Sequence, residues 1–240
     1  VLQTGGSDQW GNLTSGIDLI HKVEGGSAHA IGTPLITNSD GTKFGKSEGN
    51  AIWLDAQMCS PYRFSQFWLN TADADVIARL KVFTFLSRAE IERLELAVAN
   101  EPFRREAQRT LAREVTRLVH GDAATDAAFA AAEALFGQGD LASLDESTLL
   151  AAIEELPVAR EPEGTSVVEA LVSTGLVASG GEARRAISQG GVYIDNVRVE
   201  RDDAVLRSTL PGGIVVLRRG KRSLAGVILS SELVVAHELN

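Results

Sequence analysis

The chain has 240 residues, 44% of them hydrophobic, and a formal net charge of −9. This length accommodates one to three domains, each with its own core. No apolar run approaches the roughly 20 residues of a membrane-spanning helix, and no basic-then-apolar leader opens the chain. The single cysteine, Cys59, excludes an internal disulfide and fits a reducing compartment, and four scattered histidines form no metal cluster. We therefore expect a soluble cytoplasmic protein with no membrane partner and no metal centre of its own.

The charge is unevenly distributed along the chain. Residues 1–60 carry six acids and three bases, and residues 62–156 carry sixteen acids and ten bases. Residues 166–222 reverse this balance, with nine bases against six acids. Confinement of the positive charge to one block predicts a basic RNA-contacting module attached to an acidic protein. Arginines on an ordinary solvated face are the alternative for any single position.

The first segment has a βαβ-like order. Strand-like runs at Val1–Thr4 and Pro34–Thr37 flank a predicted helix near Leu13–Val23, which favours parallel pairing of the two strands. Too few strands are present for a complete doubly wound sheet. Because Val1 opens the chain in mid-element, we expect a fragment whose preceding part is missing.

A polar, glycine-rich stretch at Asn38–Asn50 predicts a loop between two apolar runs. It carries two lysines, Lys43 and Lys46, followed by Ser47. Two ammonium groups and a hydroxyl on a flexible backbone suit the charge that develops on a polyphosphate during group transfer. An ordinary surface loop that happens to hold two lysines is the alternative.

A second glycine-rich turn lies near the start of the chain. The paired glycines Gly5 and Gly6 allow a backbone to approach a ligand closely. Asp8 then offers a carboxylate for ribose hydroxyls, and Gln9 offers an amide for a carboxylate or carbonyl. An ordinary strand-to-helix turn is the alternative, although it does not account for so many polar and glycine residues in one run.

The string GGSDQWGN, followed by TPLIT and DGTKFGKS, resembles the bacterial tyrosyl-tRNA synthetases, a family of class I aminoacyl-tRNA synthetases. The string KFGKS is that family's form of the KMSKS signature. The resemblance continues through WLD, SPY and FWLNT to RRGKR at residues 218–222, so it covers nearly the whole chain. Such an ordered set of motifs is highly specific.

The resemblance implies an α/β segment, then an α segment, then an α+β segment. These are a partial Rossmann-like catalytic domain with the KMSKS loop at 1–60 and an α-helical anticodon-binding domain at 61–156. A linker at 157–165 precedes an S4-like RNA-binding domain at 166–222, and a tail of unassigned function occupies 223–240.

Within the helical segment, the sequence predicts an apolar helix face and four helix boundaries. The face consists of Leu111, Val115, Leu118 and Val119. The boundaries are a corner at Asn100–Pro102, a left-handed stop at Gly121, a helix end at Gly137 and a helix start at Asp145.

The C-terminal segment contains two predicted capping boxes, Ser166 with Glu169 and Ser179 with Glu182. They indicate two short helices that end near Gly175 and Gly190. A hairpin that turns at Asp195-Asn196 and a strand at Ile214–Leu217 follow. The second helix carries Arg184 and Arg185, which we expect to contact RNA.

The family joins L-tyrosine to ATP, giving tyrosyl-adenylate and pyrophosphate, and then transfers the tyrosyl group to the 3′ end of tRNA(Tyr). By resemblance, Gly6 and Asp8 hold the ribose of ATP, and Leu35 and Ile36 meet adenine through their backbone. Gln9 contacts the tyrosyl carboxylate and Gln3 lies near the tyrosine site. The pyrophosphate is stabilised by three residues of the loop, Lys43, Lys46 and Ser47. Magnesium accompanies ATP, and the complete enzyme is expected to be a homodimer.

Two alternatives stay open at this point. One is a catalytically inert tRNA-binding fragment, because the family's HIGH signature and tyrosine pocket are expected in the missing part. The string at His29–Gly32 is not that signature, and His29 is interpreted as an ordinary loop histidine. The other alternative is a related class I synthetase such as the tryptophanyl enzyme.

Overall fold

The computed structural model describes residues 1–39, 41–42, 44, 52–137, 139–221 and 223–230. The chain divides into two compact units, Val1–Ile52 and Trp53–Asn240. Within the described residues, no helix is long and apolar enough to cross a membrane.

The first unit is a βαβ arrangement. Strand β1 (Leu2–Gly6) leads into helix α1 (Trp10–Glu24), and strand β2 (His29–Thr33) follows. The two strands pair in parallel, with Leu2 opposite His29. The predicted parallel pairing and the intervening helix are therefore confirmed, in line with the predicted α/β class for this segment.

The position of the second strand differs from the prediction. It ends at Thr33 and does not occupy Pro34–Thr37. Proline has no N–H to donate to a strand ladder, so Pro34 marks the end of β2. The interpretation of His29 as a loop residue is also wrong, because its N–H donates to the Val1 carbonyl at 2.9 Å and the residue begins β2.

Five helices open the second unit, as predicted for an α segment. They are α2 (Pro61–Leu69), α3 (Asp73–Phe83), α4 (Arg88–Asn100), α5 (Glu106–Leu135) and α6 (Glu146–Ile153). Helix α2 begins at the Ser60 cap, whose hydroxyl accepts from the Arg63 N–H, with Pro61 in the first turn, where its missing N–H costs nothing.

Three of the four predicted helix boundaries are fully confirmed. Helix α4 ends at Asn100, and a 3₁₀ turn at Pro102–Arg104 forms the corner before α5. Gly137 adopts a positive φ of 78° directly after α5, which suits a glycine at a helix C-terminus. Asp145 caps α6 by accepting from the Thr148 N–H at 2.9 Å.

The fourth boundary is confirmed in its position, because the helical conformation breaks at Gly121 with a positive φ, but the left-handed conformation predicted there is wrong. Gly121 has φ 82° and ψ 172°, which lies outside the left-handed helical region, and α5 resumes beyond it as a kinked helix. The Thr125 hydroxyl donates to the Gly121 carbonyl at 2.8 Å, across the first turn beyond the kink. The predicted apolar face is also shorter than expected. Leu111 and Val115 are buried, but Leu118, close to the kink, is 60% exposed.

The C-terminal segment is α+β, as predicted, and contains a five-stranded sheet. Its strands are β3 (Val158–Pro162), β4 (Val192–Ile194), β5 (Val197–Arg198), β6 (Ile214–Arg219) and β7 (Ser223–Ser230). The spatial order is β3-β7-β6-β4-β5, and only the β3–β7 pair is parallel.

The predicted linker and part of the predicted tail belong to this sheet. The predicted linker at 157–165 contains β3, an edge strand that tolerates a proline at its end. The predicted tail at 223–240 contains β7, which lies between β3 and β6. The strand occupies residues 223–230 of that segment, to which the sequence analysis assigned no function. Residues 231–240 lie outside the described residues.

Helices α7 (Val167–Ser173) and α8 (Gly180–Ser188) cover one face of the sheet. The first predicted capping box is confirmed, because Ser166 and Glu169 bond each other's N–H groups. The second is only half formed. The Ser179 hydroxyl accepts from the Glu182 N–H, but the Glu182 carboxylate accepts from Ala178 instead of Ser179.

The predicted hairpin and strand are also confirmed. Asp195 and Asn196 both have positive φ, 48° and 66°, which is the conformation of a two-residue turn that matches strand twist. The β4 and β5 strands that they join are antiparallel, and β6 begins at Ile214 as expected.

Strand β6, inside the sheet, is buried on both faces. Val215 and Leu217 of β6 belong to the apolar cluster of α7 and α8, whereas Ile214 and Val216 pack in a second cluster that includes Ile153 of α6. Helices α2, α5 and α6 thus share a hydrophobic cluster with the sheet. The predicted domains at 61–156 and 166–222 accordingly lie in one compact unit.

Candidate functional site

The first candidate site is the turn between β1 and α1. Gly6 ends the strand, and a 3₁₀ turn over Ser7–Gln9 leads into the helix. A Cβ atom at Gly6 would lie 2.8 Å from Asp8 Oδ1 and 2.9 Å from Leu35 Cδ2. The Asp8 carboxylate and the Leu35 side chain therefore approach the glycine backbone as closely as its missing side chain permits. Three predicted ATP-binding residues meet here.

The two predicted tyrosine-binding residues lie on the other face of β1. Gln3 Oε1 is 3.2 Å from the place that a Cβ at Gly16 of α1 would take. Gln9 Cβ is 3.4 Å from the equivalent position at Gly5, and Gln9 Oε1 accepts from Asn12 at 2.9 Å. Since neighbouring strand positions face opposite ways, the glutamines and the Gly6 contact lie on different sides of the strand.

The fourth predicted ATP-binding residue, Ile36, begins a chain reversal. Its carbonyl accepts from the Phe44 N–H at 3.0 Å. Asn38 and Thr42 are joined by a backbone bond of 2.8 Å and a side-chain bond of 2.9 Å, and Gly41 supplies a positive φ of 82°. In its described part, the predicted loop is thus a tight turn that starts directly after Leu35.

The predicted pyrophosphate-stabilising residues Lys43, Lys46 and Ser47 lie outside the described residues. Their roles stay predictions.

The second candidate site is the outer face of α8. Ala183, Ala186 and Ile187 turn into the core, so the intervening positions Arg184 and Arg185 face solvent, as the sequence predicts. These arginines line an open groove of about 520 Å³. Their exposure suits contact with a polyanion, because long cationic side chains on a helix reach phosphates without burying charge.

The opposite wall of this groove is acidic, which the sequence analysis missed. The loop after β5 brings Glu200, Asp202 and Asp203 to α8. Arg184 Nε lies 3.5 Å from Asp202 Oδ2. The sequence feature that indicates this acidic wall is the string ERDD directly after the hairpin. Its charges cannot be assigned to a partner until the position of the hairpin is known.

Two further arginines of the basic block have structural partners. The Arg218 guanidinium lies 3.8 Å from the centroid of the Tyr193 ring. Arg219 donates to the Leu176 carbonyl at 2.8 Å and to the Glu182 carboxylate at 2.7 Å. These contacts fix β6 to its neighbours, so part of the positive balance of residues 166–222 stabilises the fold.

Cys59 is buried and burial raises the pKa of its thiol, which keeps it protonated at neutral pH.

Comparison with known proteins assigns the class. The family model described as tRNA synthetases class I (W and Y) matches residues 1–137, more than half of the chain. The chain belongs to this family. A second model, described as Tyrosine--tRNA ligase SYY-like C-terminal domain, matches residues 149–226.

The most similar curated relatives include tyrosine--tRNA ligases of actinobacterial species. The protein of Leifsonia xyli subsp. xyli is 67% identical over 231 residues, which cover 95% of this chain and 52% of the relative. The protein of Streptomyces coelicolor is 53% identical, covering 95% of this chain and 54% of the relative. The chain spans about half the length of the curated relatives it matches.

Two solved structures are among those similar to parts of this chain. A C-terminally truncated mitochondrial tyrosyl-tRNA synthetase from Coccidioides posadasii is 34% identical, with a TM-score of 0.44, covering 53% of this chain and 38% of that chain. A tyrosyl-tRNA synthetase C-terminal domain solved in solution is 29% identical, with a TM-score of 0.33, covering 38% of this chain and 96% of that chain.

Proposed function

We propose that the chain carries part of the machinery of a tyrosine–tRNA ligase, which activates L-tyrosine with ATP and transfers it to tRNA(Tyr). The observation that carries this proposal is the close approach of Asp8 and Leu35 over Gly6, in a chain that belongs to the class I synthetase family. The match of residues 149–226 to a tyrosine enzyme's C-terminal domain favours tyrosine over tryptophan as the amino acid.

In the proposed reaction, the tyrosine carboxylate attacks the α-phosphorus of ATP and pyrophosphate leaves. The Asp8 carboxylate accepts hydrogen bonds from the ribose hydroxyls, and the missing side chain at Gly6 lets that carboxylate lie against the backbone. The backbone of Leu35 and Ile36 borders the adenine, and Gln3 and Gln9 serve the tyrosine from the other side of β1. The protein acts by positioning and charge stabilisation, since it forms no covalent bond to either substrate.

The loop residues Lys43, Lys46 and Ser47 stabilise the negative charge on the leaving pyrophosphate. Magnesium bound to ATP would neutralise part of the charge on its phosphates. Among the residues that the structure describes, no group of three or more His, Cys, Asp or Glu side chains converges. The helical segment binds the anticodon arm, the C-terminal segment binds tRNA through Arg184 and Arg185, and the complete cytoplasmic enzyme is a homodimer.

The variant Lys46→Ala tests this assignment. Removal of one oxyanion-type donor costs about 2–4 kcal/mol of transition-state stabilisation, or roughly 30- to 1,000-fold in rate. In the complete enzyme, we expect that loss in ATP–pyrophosphate exchange, with tyrosine affinity unchanged in a calorimetric titration. Lys22→Ala is the matched control, because Lys22 is an exposed α1 lysine paired with Asp18. Equal losses in exchange rate and tyrosine affinity contradict the proposed role.

A tRNA-binding chain without activation chemistry is the second candidate. It is favoured by the fact that the chain spans about half of its relatives' length. The two candidates differ in one measurement. Retention of tRNA(Tyr) binding by a chain that shows no pyrophosphate exchange supports the second candidate, and exchange above background supports the first.

A further inference from the structure

The groove beside α8 contains equal numbers of opposite charges. Its cations are Arg184, Arg185 and Arg201, and its anions are Glu200, Asp202 and Asp203. A surface that binds a polyanion through unopposed arginines attracts it over a distance of about 8–10 Å at moderate salt. Here that attraction is largely cancelled within the groove itself.

Two of the three arginines are engaged by the segment Glu200–Asp203, which we call the acidic loop. Arg184 Nε lies 3.5 Å from Asp202 Oδ2. Within the loop, Arg201 pairs with Asp203 through two parallel bonds, one of them 3.0 Å between Nε and Oδ1. A bidentate pair of this kind fixes the guanidinium plane, so Arg201 is not free to meet a phosphate in the same orientation.

The acidic loop is anchored at both ends. Before it, Val199 is buried and its N–H donates to the Val192 carbonyl at 2.9 Å. After it, the Ala204 carbonyl accepts from the Val167 N–H at 2.9 Å, and its side chain packs on the α7–α8 cluster. The carboxylates are thus held beside α8 by the fold, at high effective concentration, and are not carried on a free tail.

The ion pairs are nevertheless easy to open. The side chains of Arg184 and Asp202 are 62% and 56% exposed, and exposed pairs contribute little to stability because water screens them. A phosphate of RNA is itself a charge-assisted acceptor for arginine and can replace the carboxylate. When a phosphate replaces a carboxylate as the partner of an arginine, the displaced carboxylate stays close to the phosphate. Repulsion between these two negative charges weakens RNA binding.

We propose that the carboxylates of the acidic loop compete with the phosphates of RNA for the arginines of the α8 surface. This competition lowers the affinity of that surface for every RNA by the same factor. The proposal rests on the assignment of Arg184 and Arg185 to RNA binding. A uniform reduction in affinity sets a minimum binding strength that an RNA must exceed to stay bound. RNAs that offer only non-specific phosphate contacts fall below it at cellular concentrations, while an RNA with additional specific contacts stays bound.

The double variant Asp202→Asn/Asp203→Asn tests the loop. Asparagine keeps the shape of each side chain, and both positions are more than half exposed, so folding is unaffected. We expect binding to tRNA(Tyr) and to poly(U) to tighten by the same factor, about 3- to 10-fold, from the small strength of two exposed pairs. The salt dependence should also steepen by up to about 1.4 in log–log slope, because two arginines become available to phosphates.

The control is Glu133→Gln/Glu163→Gln, which removes two charges elsewhere. Within the described residues, neither of these exposed glutamates forms a side-chain ion pair. If removal of net negative charge alone were responsible, the control would tighten binding and steepen the slope equally, and the proposal would be overturned. An affinity gain confined to the loop variant supports it.

The variant Arg184→Gln/Arg185→Gln separates this proposal from the function on which it rests. Weaker RNA binding and a flatter salt slope in this variant support an RNA surface on α8. Suppose that the arginine variant weakens RNA binding while the Asp202→Asn/Asp203→Asn variant behaves like its glutamate control. The RNA surface on α8 is then supported, and the competition by the acidic loop is overturned. If this double variant leaves the salt dependence of RNA binding unchanged, the proposed RNA surface on α8 is overturned. The proposed competition by the acidic loop is then overturned as well.

Discussion

Gly6 is the position where one missing side chain decides the geometry of the proposed ATP site. A methyl group there would meet Asp8 Oδ1 at 2.8 Å and Leu35 Cδ2 at 2.9 Å. Both atoms are the ends of flexible side chains, so they can move aside and the fold survives. The consequence of Gly6→Ala should therefore appear in binding and not in stability.

We expect Gly6→Ala to weaken ATP binding about 10- to 100-fold, since a displaced Asp8 loses a charged hydrogen bond to ribose worth about 1.5–3 kcal/mol. Calorimetric titration with ATP measures this loss, and a thermal melt checks the fold. Gly11→Ala is the matched control, because nothing lies within 4 Å of a Cβ at Gly11. An unchanged ATP affinity in the Gly6 variant would remove Asp8 from the ribose site.

A contact between two residues can be predicted from the sequence when the two residues are close along the chain. Gly6 and Asp8 are two residues apart, and their proximity follows from the turn that the glycines predict. Asp202 and Arg184 are also neighbours in space, but they meet only because a hairpin carries the acidic loop back to α8. No local pattern encodes that contact, so it could be recognised only in the fold.

Among the elements, α6 shows how one side chain determines a helix start. The hydroxyls of Ser147 and Thr148 and the Thr148 N–H all donate to the Asp145 carboxylate and lower its pKa to about 2. The ionised form is favoured in the folded state. Its contribution to stability is therefore complete above the ordinary pKa of 3.8 and is lost as the pH falls through about 2.

We expect Asp145→Ala to lower the free energy of unfolding by about 1 kcal/mol at pH 7, the usual cost of a lost helix cap. The difference from wild type should shrink between pH 4 and pH 2, as the wild-type carboxylate takes up a proton. Urea unfolding at several pH values measures both effects. Asp145→Asn keeps a capping acceptor without the charge, and should cost less at pH 7. A difference that does not vary with pH would show that the charge contributes nothing.

Most elements with strong local signals were predicted correctly, whereas the strands whose signal is tertiary were not. The caps at Ser166 and Asp145 and the turn at Asp195-Asn196 act within a few residues, so their sequence suffices. Strand β3 reads as a linker because of its charges and prolines, and β7 is interrupted by Gly226. Each becomes a strand because the other, or β6, supplies its hydrogen-bond partners.

At the scale of the whole second unit, Gly226 and Ile153 join helix and sheet. A Cβ at Gly226 would lie 2.8 Å from Ile153 Cβ, so the glycine lets α6 pack directly on the backbone of β7. Asn196 of the hairpin also donates to the Ala134 carbonyl at the end of α5, at 2.7 Å. These contacts couple the proposed anticodon-binding and RNA-binding segments, whereas a flexible linker would leave them independent.

The variant Ile153→Ala tests that coupling. Ile153 is completely buried, and truncation of such a side chain costs about 2–5 kcal/mol through lost burial and a new cavity. Because its neighbours include both α6 and the sheet, we expect amide hydrogen exchange to accelerate together in α6, β6 and β7. Leu94→Ala is the matched control, since Leu94 is equally buried in α4 but lies outside both clusters that contain the sheet. It should accelerate exchange in α4 more than in β7. If Ile153→Ala accelerates amide exchange in α6 while exchange in β7 stays slow, the helical and C-terminal segments unfold independently. Their tRNA-binding surfaces would then be connected only through the covalent chain.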